Sequence, residues 1–330
     1  MHRLLLTCLA SVALYAAVFA GVADRPLSLG VLRLELLDKT AALAAMPLPR
    51  LVILAGSNGP YSHSCAVLGT MLDMPCENAG IAVGIGLDDV FARYAPLLRP
   101  GDVVYMPMEL AQYTMSAGEY RAAVDGAFLL RHDRDVLREM PRERALGAVF
   151  CCQLDDLLES AAEMPLAHLH ALDAQALLAR EYNEQGDRVD NDLALRDAAL
   201  IGAAPRVLPT SPEITAGYGS RLISGFVAVQ GRRGVVVIGG LPADDRQQAL
   251  PPDVLAAIRA VYVQNGGAFL ALPNESHYPA ADFFNSEDHL AKPCQYAHSI
   301  ALAPLLGAAL HRPVQPPSPE VKAMAEACPQ

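Results

Sequence analysis

Five short apolar runs punctuate the chain, at 51–55 (LVILA), 79–83 (AGIAV), 103–106 (VVYM), 235–238 (VVVI) and 268–272 (AFLAL). Each is nearly continuous in apolar residues rather than alternating with polar ones, the pattern of strands buried on both faces of a parallel sheet. Amphipathic stretches separate them. Residues 88–98 open on two aspartates and stop before Pro100-Gly101, while 252–265 carry Pro near the start and Gly266-Gly267 beyond the end. Both predict helices, and a last helix is expected over roughly 295–310. Alternation of buried strand with helix predicts an α/β, doubly wound layer with a five-stranded parallel sheet.

The stretch from about 116 to 215 breaks that rhythm. It reads as helices over 117–131, 134–140, 154–163 and 167–182, followed by the polar loop NEQGDRVDND. We read it as a helical insertion between the third and fourth strands. Residues 313–319 (PVQPPSP) predict an extended segment rather than a core element.

From Leu4 to Ala23 no residue is charged. About 20 apolar residues suffice to cross a bilayer as a helix, so residues 1–23 are expected to be a signal peptide or an N-terminal membrane anchor. Gly21 and Ala23 are small residues suited to a cleavage site, whereas the length of the run favours the anchor. Residues 24–330 then form the folded domain in a periplasmic location. With Cys8 set aside, six cysteines remain, an even number that suits an oxidising compartment. Cys65 with Cys76 and Cys294 with Cys328 are the expected pairs. No cysteine and histidine spacing suggests zinc, and neither metal nor cofactor is expected. The net charge of −11 and the lack of a Lys/Arg cluster exclude nucleic acid as a natural partner.

Two segments carry candidate chemistry. Gly56-Ser57-Asn58-Gly59 directly follows the first predicted strand, which puts Ser57 at the carboxyl end of a parallel sheet, where open α/β folds bind ligands. Far downstream, 282–290 (DFFNSEDHL) lies after the last strand, on the loop leading into the last helix. His289 is thereby expected at the same sheet edge as Ser57. A serine becomes a useful nucleophile when a base takes its proton and a third group orients the base. His63, His168, His170 and Asn274 are read as packing, surface or loop residues.

In this order of strand–Gly-Ser, second turn, and late acid-and-His loop, the chain resembles the SGNH/GDSL hydrolase superfamily. It is most similar to the membrane-anchored branch acting on exopolysaccharide, such as alginate O-acetyltransferase-like and cellulose-operon proteins. The resemblance implies a flavodoxin-like sheet of SGNH type, with Ser57 as nucleophile and His289 as base. It implies that 78–84 (NAGIAVG) is the block whose glycine lends an oxyanion N–H, Gly84 in first place and Gly80 in second. It departs from the family at two points. The third block usually supplies an Asn, and 107–112 (PMELAQ) has none; Glu109 as an anion would repel an oxyanion, and Gln112 is the available donor. The usual Asp three residues before the His falls on Ser286, which leaves Asp288 as first choice of orienting acid and Asn285 as second.

The expected function is that of a periplasmic acyl, chiefly acetyl, esterase or transferase acting on a polysaccharide or small acyl ester. The resemblance implies an integral-membrane acyltransferase or polysaccharide synthase as partner. The main rival is a noncatalytic SGNH-like module that binds polysaccharide or scaffolds a secretion system. A lipase or thioesterase is a further rival and would need an apolar acyl groove.

Overall fold

The computed structural model describes all residues except 1, 23–28, 122, 150, 153, 170–172, 202–206, 246–248 and 330. Ala23 and His170 therefore lie outside the described residues. The chain divides into two compact units: Met1–Leu37, Gly84–Val90 and Ala117–Ala179 form one, and Asp38–Val83, Phe91–Ser116 and Arg180–Gln330 the other.

The second unit holds the sheet. Its strands are β1 (Leu51–Ile53), β2 (Cys76–Asn78), β3 (Val103–Met106), β4 (Val236–Gly239) and β5 (Ala268–Phe269). All neighbours run parallel in the order β2-β1-β3-β4-β5. The architecture is α/β with an open, all-parallel sheet, and this strand order is compatible with a doubly wound fold. Leu51, Ile53, Val103 and Tyr105 share one buried cluster with Leu68 and Leu72 of the helix Cys65–Leu72 and with Leu302 and Leu306 of the helix Lys292–Ala309. The alternate strand residues, Val52 and Val104, are also fully buried, as a sheet covered on both faces requires.

One strand sits earlier than its apolar pattern suggests. Residues 79–83 are coil; the strand is Cys76–Asn78, with Val52 opposite Glu77 and Ile53 opposite Asn78. Polar residues are tolerated here because the Asn78 amide donates to the backbone carbonyls of Gly59 (3.0 Å) and His63 (2.9 Å). The Cys65–Cys76 disulfide ties the same strand to the helix beside it. The helix Tyr218–Arg232 was not expected from the pattern, since three glycines, Gly219, Gly225 and Gly231, interrupt it. After an extended 313–318 segment, a short helix Pro319–Glu326 leads to Cys328, which is bonded to Cys294.

Arg50 and Asp102, just before β1 and β3, form a fully buried ion pair at 2.5 Å. Arg50 also donates to the carbonyls of Leu43 (2.5 Å) and Leu97 (2.8 Å), so the guanidinium is bonded on all its sides.

The first unit is helical. The apolar helix His2–Val22 has the length and hydropathy of a signal or membrane-anchoring segment. Its carboxyl-terminal part belongs to the core of this unit: Tyr15, Val18, Phe19 and Val22 cluster with Ala127, Cys151 and Leu157. Tyr15 donates to the Cys152 carbonyl at 3.1 Å, and Arg131 donates to the carbonyls of Phe19 (3.3 Å) and Ala20 (3.2 Å), which are otherwise orphaned at a helix end. Cys151 and Cys152 are bonded to each other. The predicted helix over 117–131 is two helices, Ala117–Arg121 and Gly126–Arg131. The break holds Asp125, whose carboxylate accepts from Gly86 N–H (3.0 Å) and pairs with Arg144. The polar loop 183–192 belongs to the sheet unit.

Candidate active site

Two strand ends build the site. β1 leads through Gly56 into Ser57, the N-cap residue of the helix Asn58–Ser62, and β3 leads through Pro107 and Met108 into Glu109, the N-cap residue of the helix Leu110–Thr114. Because the sheet grows in opposite directions from β1 and β3, their carboxyl ends flank the crevice where open α/β sheets take ligands.

Ser57 and His289 meet there. Ser57 Oγ lies 2.7 Å from His289 Nε2, and His289 Nδ1 lies 2.8 Å from Asn285 Oδ1. An amide oxygen only accepts, so Nδ1 carries the ring proton and Nε2 is left to accept from the serine hydroxyl. That is the tautomer a general base needs. The Asn285 side chain also interacts with the Tyr61 hydroxyl, which lowers the phenol's pKa against the larger effect of burial.

The orienting place expected for Asp288 is thus taken by Asn285. Asp288 stands on the other side of the ring, with Oδ1 3.8 Å from Nε2 and accepting from Ser286 Oγ at 2.5 Å. The cause is the tight loop, in which Phe284 N–H bonds the His289 carbonyl (2.7 Å) and so turns residues 285 and 288 to opposite sides.

Several residues not singled out from the sequence hold the two loops together. Tyr61 stacks on His289 with ring centroids 3.9 Å apart. Ser62 Oγ donates to the Asp288 carbonyl (2.8 Å) and accepts from Leu290 N–H (3.2 Å). Gln295 donates to the Pro60 carbonyl (2.6 Å), and Asn191 to that of Leu290 (2.9 Å). The buried Asp187 carboxylate accepts from Cys65 N–H (2.7 Å), Ala66 N–H (3.0 Å) and Ser64 Oγ (3.0 Å) at the start of the next helix. The one sequence signal for this frame was the position of Tyr61 and Ser62 within five residues of Ser57.

Glu109 is turned toward the serine. Its Oε1 lies 3.4 Å from Ser57 Oγ and accepts from Asn58 N–H (3.1 Å) and Asn58 Nδ2 (3.2 Å). Gly56 makes room for it, since a Cβ at that position would overlap Glu109 Oε1. Burial, and after it the Asp288 charge, raise the Glu109 carboxyl from 4.5 to about 8. Gln112, expected as a donor to the oxyanion, is held through its oxygen, which accepts from Glu109 N–H (3.0 Å) in a reciprocal capping box, and does not bond Ser57. Gly84 belongs to the helical unit, where its carbonyl accepts from Val124 N–H (3.2 Å). The glycine set against the serine turn is Gly80, in close contact with Gly56 and Gly59.

Beyond Glu109 and Asp288 opens a cavity of about 420 Å³. Its wall combines Glu213, Asp244 and Glu287 with Leu110, Val207 and Pro209 and, among the described residues, carries no aromatic ring. His63 lies beneath the site, buried, with Nε2 3.1 Å from His298 Nε2, and burial lowers its pKa to about 4. Asp282 is buried near Cys294 and Cys328, but those sulfurs are bonded to each other and offer a metal no thiolate. His168 is exposed, and Asn274 closes a turn onto the His277 carbonyl.

The chain matches no family model, no curated protein and no solved structure.

Proposed function

We propose that the chain is an SGNH-type serine acyl esterase or acyltransferase, exported to the periplasm and acting on acyl esters of an exopolysaccharide. The observation that carries this reading is the Ser57–His289 contact at 2.7 Å with an amide oxygen behind the imidazole. Ser57 Oγ would attack the acyl carbon while Nε2 takes its proton, and the imidazolium would then protonate the departing alcohol. Hydrolysis and transfer differ only in whether water or a sugar hydroxyl next attacks the acyl-serine. Transfer would draw its acyl group from an integral-membrane acyltransferase, with a polysaccharide synthase as the neighbouring partner.

The cavity narrows the substrate. Its acid walls disfavour an anionic acyl group and a polyuronate such as alginate, and suit a neutral or amine-bearing glycan. They also disfavour the lipase reading, which needs a continuous apolar groove.

A second reading, a noncatalytic module, is favoured by one observation: a carboxyl group stands where a developing oxyanion would form, 3.4 Å from Ser57 Oγ. Among the described residues the cavity wall carries no aromatic platform, which argues against it as a glycan-binding site. The test is hydrolysis of p-nitrophenyl acetate, with fluorophosphonate labelling, by the wild type and Ser57→Ala. Turnover and labelling lost with the serine are expected. Equal rates in both proteins would leave the noncatalytic module.

A further inference from the structure

Acyl transfer at Ser57 creates a negative oxygen that needs a hydrogen-bond donor. Gln112 is held through its oxygen in the capping box, and among the described residues the side chains bonded to Ser57 Oγ are those of His289 and Glu109. As an anion it would oppose the reaction. The surroundings favour the neutral acid. Glu109 is buried, with Asp288 and His289 from the loop after β5 beside it, and Asp244 (after β4), Glu213 (on the helix Ser211–Ala216) and Glu287 on the adjoining wall. Among the described residues these facing side chains, His289 apart, are all acids. Two donors from Asn58 converge on Oε1 and mark it as the accepting end. The proton is therefore assigned to Oε2, and the nearby Asp288 charge favours keeping it.

We propose that Glu109 is the hydrogen-bond donor to the acyl oxygen in the tetrahedral intermediate. This inference rests on the acyl-transfer reading of Ser57 and His289. In the resting site Asp288 stands beside the Glu109 carboxyl; with an ester bound, the acyl oxygen becomes the acceptor of the Glu109 O–H. When the Ser57 Oγ–C bond forms, the carbonyl π pair moves onto that oxygen and the serine proton passes to His289 Nε2. The Glu109 O–H shortens its bond to the new oxyanion without transferring its proton. On collapse the C–O bond to the alcohol breaks and His289 Nε2 protonates the departing oxygen. Gly56 and the Asn58 donors exist in this scheme to bring the carboxyl close and hold it in register.

The consequence is an alkaline limb. Glu109 gives up its proton near pH 8, and the rate falls above that value. The experiment follows kcat and KM for p-nitrophenyl acetate between pH 5.5 and 9.5, with spontaneous hydrolysis subtracted. It uses the full chain in detergent as wild type, Ser57→Ala, Glu109→Ala and Glu109→Gln, each checked for an unchanged thermal melt. Loss of one oxyanion donor costs about 100- to 1000-fold in turnover, so Glu109→Ala is expected to lose at least 100-fold in kcat with KM little changed. Glu109→Gln, a neutral donor, is expected to recover at least tenfold of that loss and to show no fall near pH 8. An active Glu109→Ala overturns the proposal, as does a Glu109→Gln as slow as Glu109→Ala or one that keeps the alkaline fall. If Ser57→Ala equals wild type, the serine reading itself fails, an outcome distinct from each of these.

Discussion

Tyr61 lies flat against His289, ring centroids 3.9 Å apart and planes 5° from parallel. The hydroxyl of the same tyrosine interacts with the Asn285 side chain, and Arg188 lies over its ring at 5.1 Å. One side chain thus touches both the imidazole and the amide that orients it. The arrangement allows a neutral residue to do the orienting work usually given to a carboxylate, because an amide is useful there only if it cannot flip.

Removal of the Tyr61 hydroxyl is therefore expected to act through Asn285. Tyr61→Phe keeps the stack but frees the amide, and a lost hydrogen bond of about 1 kcal/mol translates to roughly fivefold to tenfold in kcat. A carboxylate accepts from either oxygen, so Asn285→Asp on the Tyr61→Phe background is expected to restore the rate. Steady-state kinetics on the two single variants and the double variant check this; a double variant no better than Tyr61→Phe would place the hydroxyl's effect elsewhere.

Gly56→Ala is expected to damage the site more than the fold. The added methyl would meet Glu109 Oε1 and Val83 Cγ2, and relief comes most cheaply by moving the Glu109 side chain. Overpacking of this kind costs about 1–3 kcal/mol. The expected outcome is a melting temperature lowered by several degrees together with a loss of activity larger than that of a comparably destabilised surface variant. Equal losses in the two variants would mean that the close approach of Glu109 has no bearing on turnover.

The parallel sheet was legible in the sequence because strands buried on both faces leave continuous apolar runs, as at 51–53 and 103–106. β2 was misplaced by three residues, since Glu77 and Asn78 break such a run; Asn78 is buried with hydrogen-bond partners distant in sequence, and Glu77 is buried with its carboxyl raised toward the neutral form. Ser57 and His289 could be brought together from topology alone, each lying after a strand at one sheet edge. The choice between Asp288 and Asn285 could not, because it depends on how the 284–289 loop closes its own hydrogen bonds. Nor could the orientation of Glu109, which follows from the capping box with Gln112 and the space left by Gly56.

The first helix makes a prediction about the helical unit. Val22 is buried with Ala127, Cys151 and Leu157, and Arg131 binds the helix end. A chain lacking residues 1–22 exposes that cluster. Faster amide exchange is expected in Gly126–Arg131 and Leu154–Leu169, while β1 and β3 keep their protection. Unchanged exchange in both helices would show that the segment contributes nothing to the packing of the unit.

Stability should fall as the solution turns alkaline, and Glu77 is the residue that tests it. Glu77 is buried on β2, with neither carboxylate oxygen hydrogen-bonded among the described residues. Burial raises its pKa from 4.5 to about 8, with the Asp187 charge adding to the rise and Lys39 opposing it. Between those values the folded chain keeps a proton that the unfolded chain has lost. The stabilisation is complete below about 4.5 and is lost as pH rises through 8, at up to about 1.4 kcal/mol per pH unit for one carboxyl. Glu109 adds in the same direction. His63, held neutral down to about 4 against an ordinary 6.5, works in the opposite sense below 6.5, as does His298. The carboxyl slope is consequently exposed between about 6.5 and 8. Urea midpoints at pH 5, 6.5 and 8 are expected to drop over the upper interval in the wild type and to drop less in Glu77→Gln, whose neutral amide cannot ionise. Parallel profiles for the two proteins would mean that Lys39 holds Glu77 ionised within the fold.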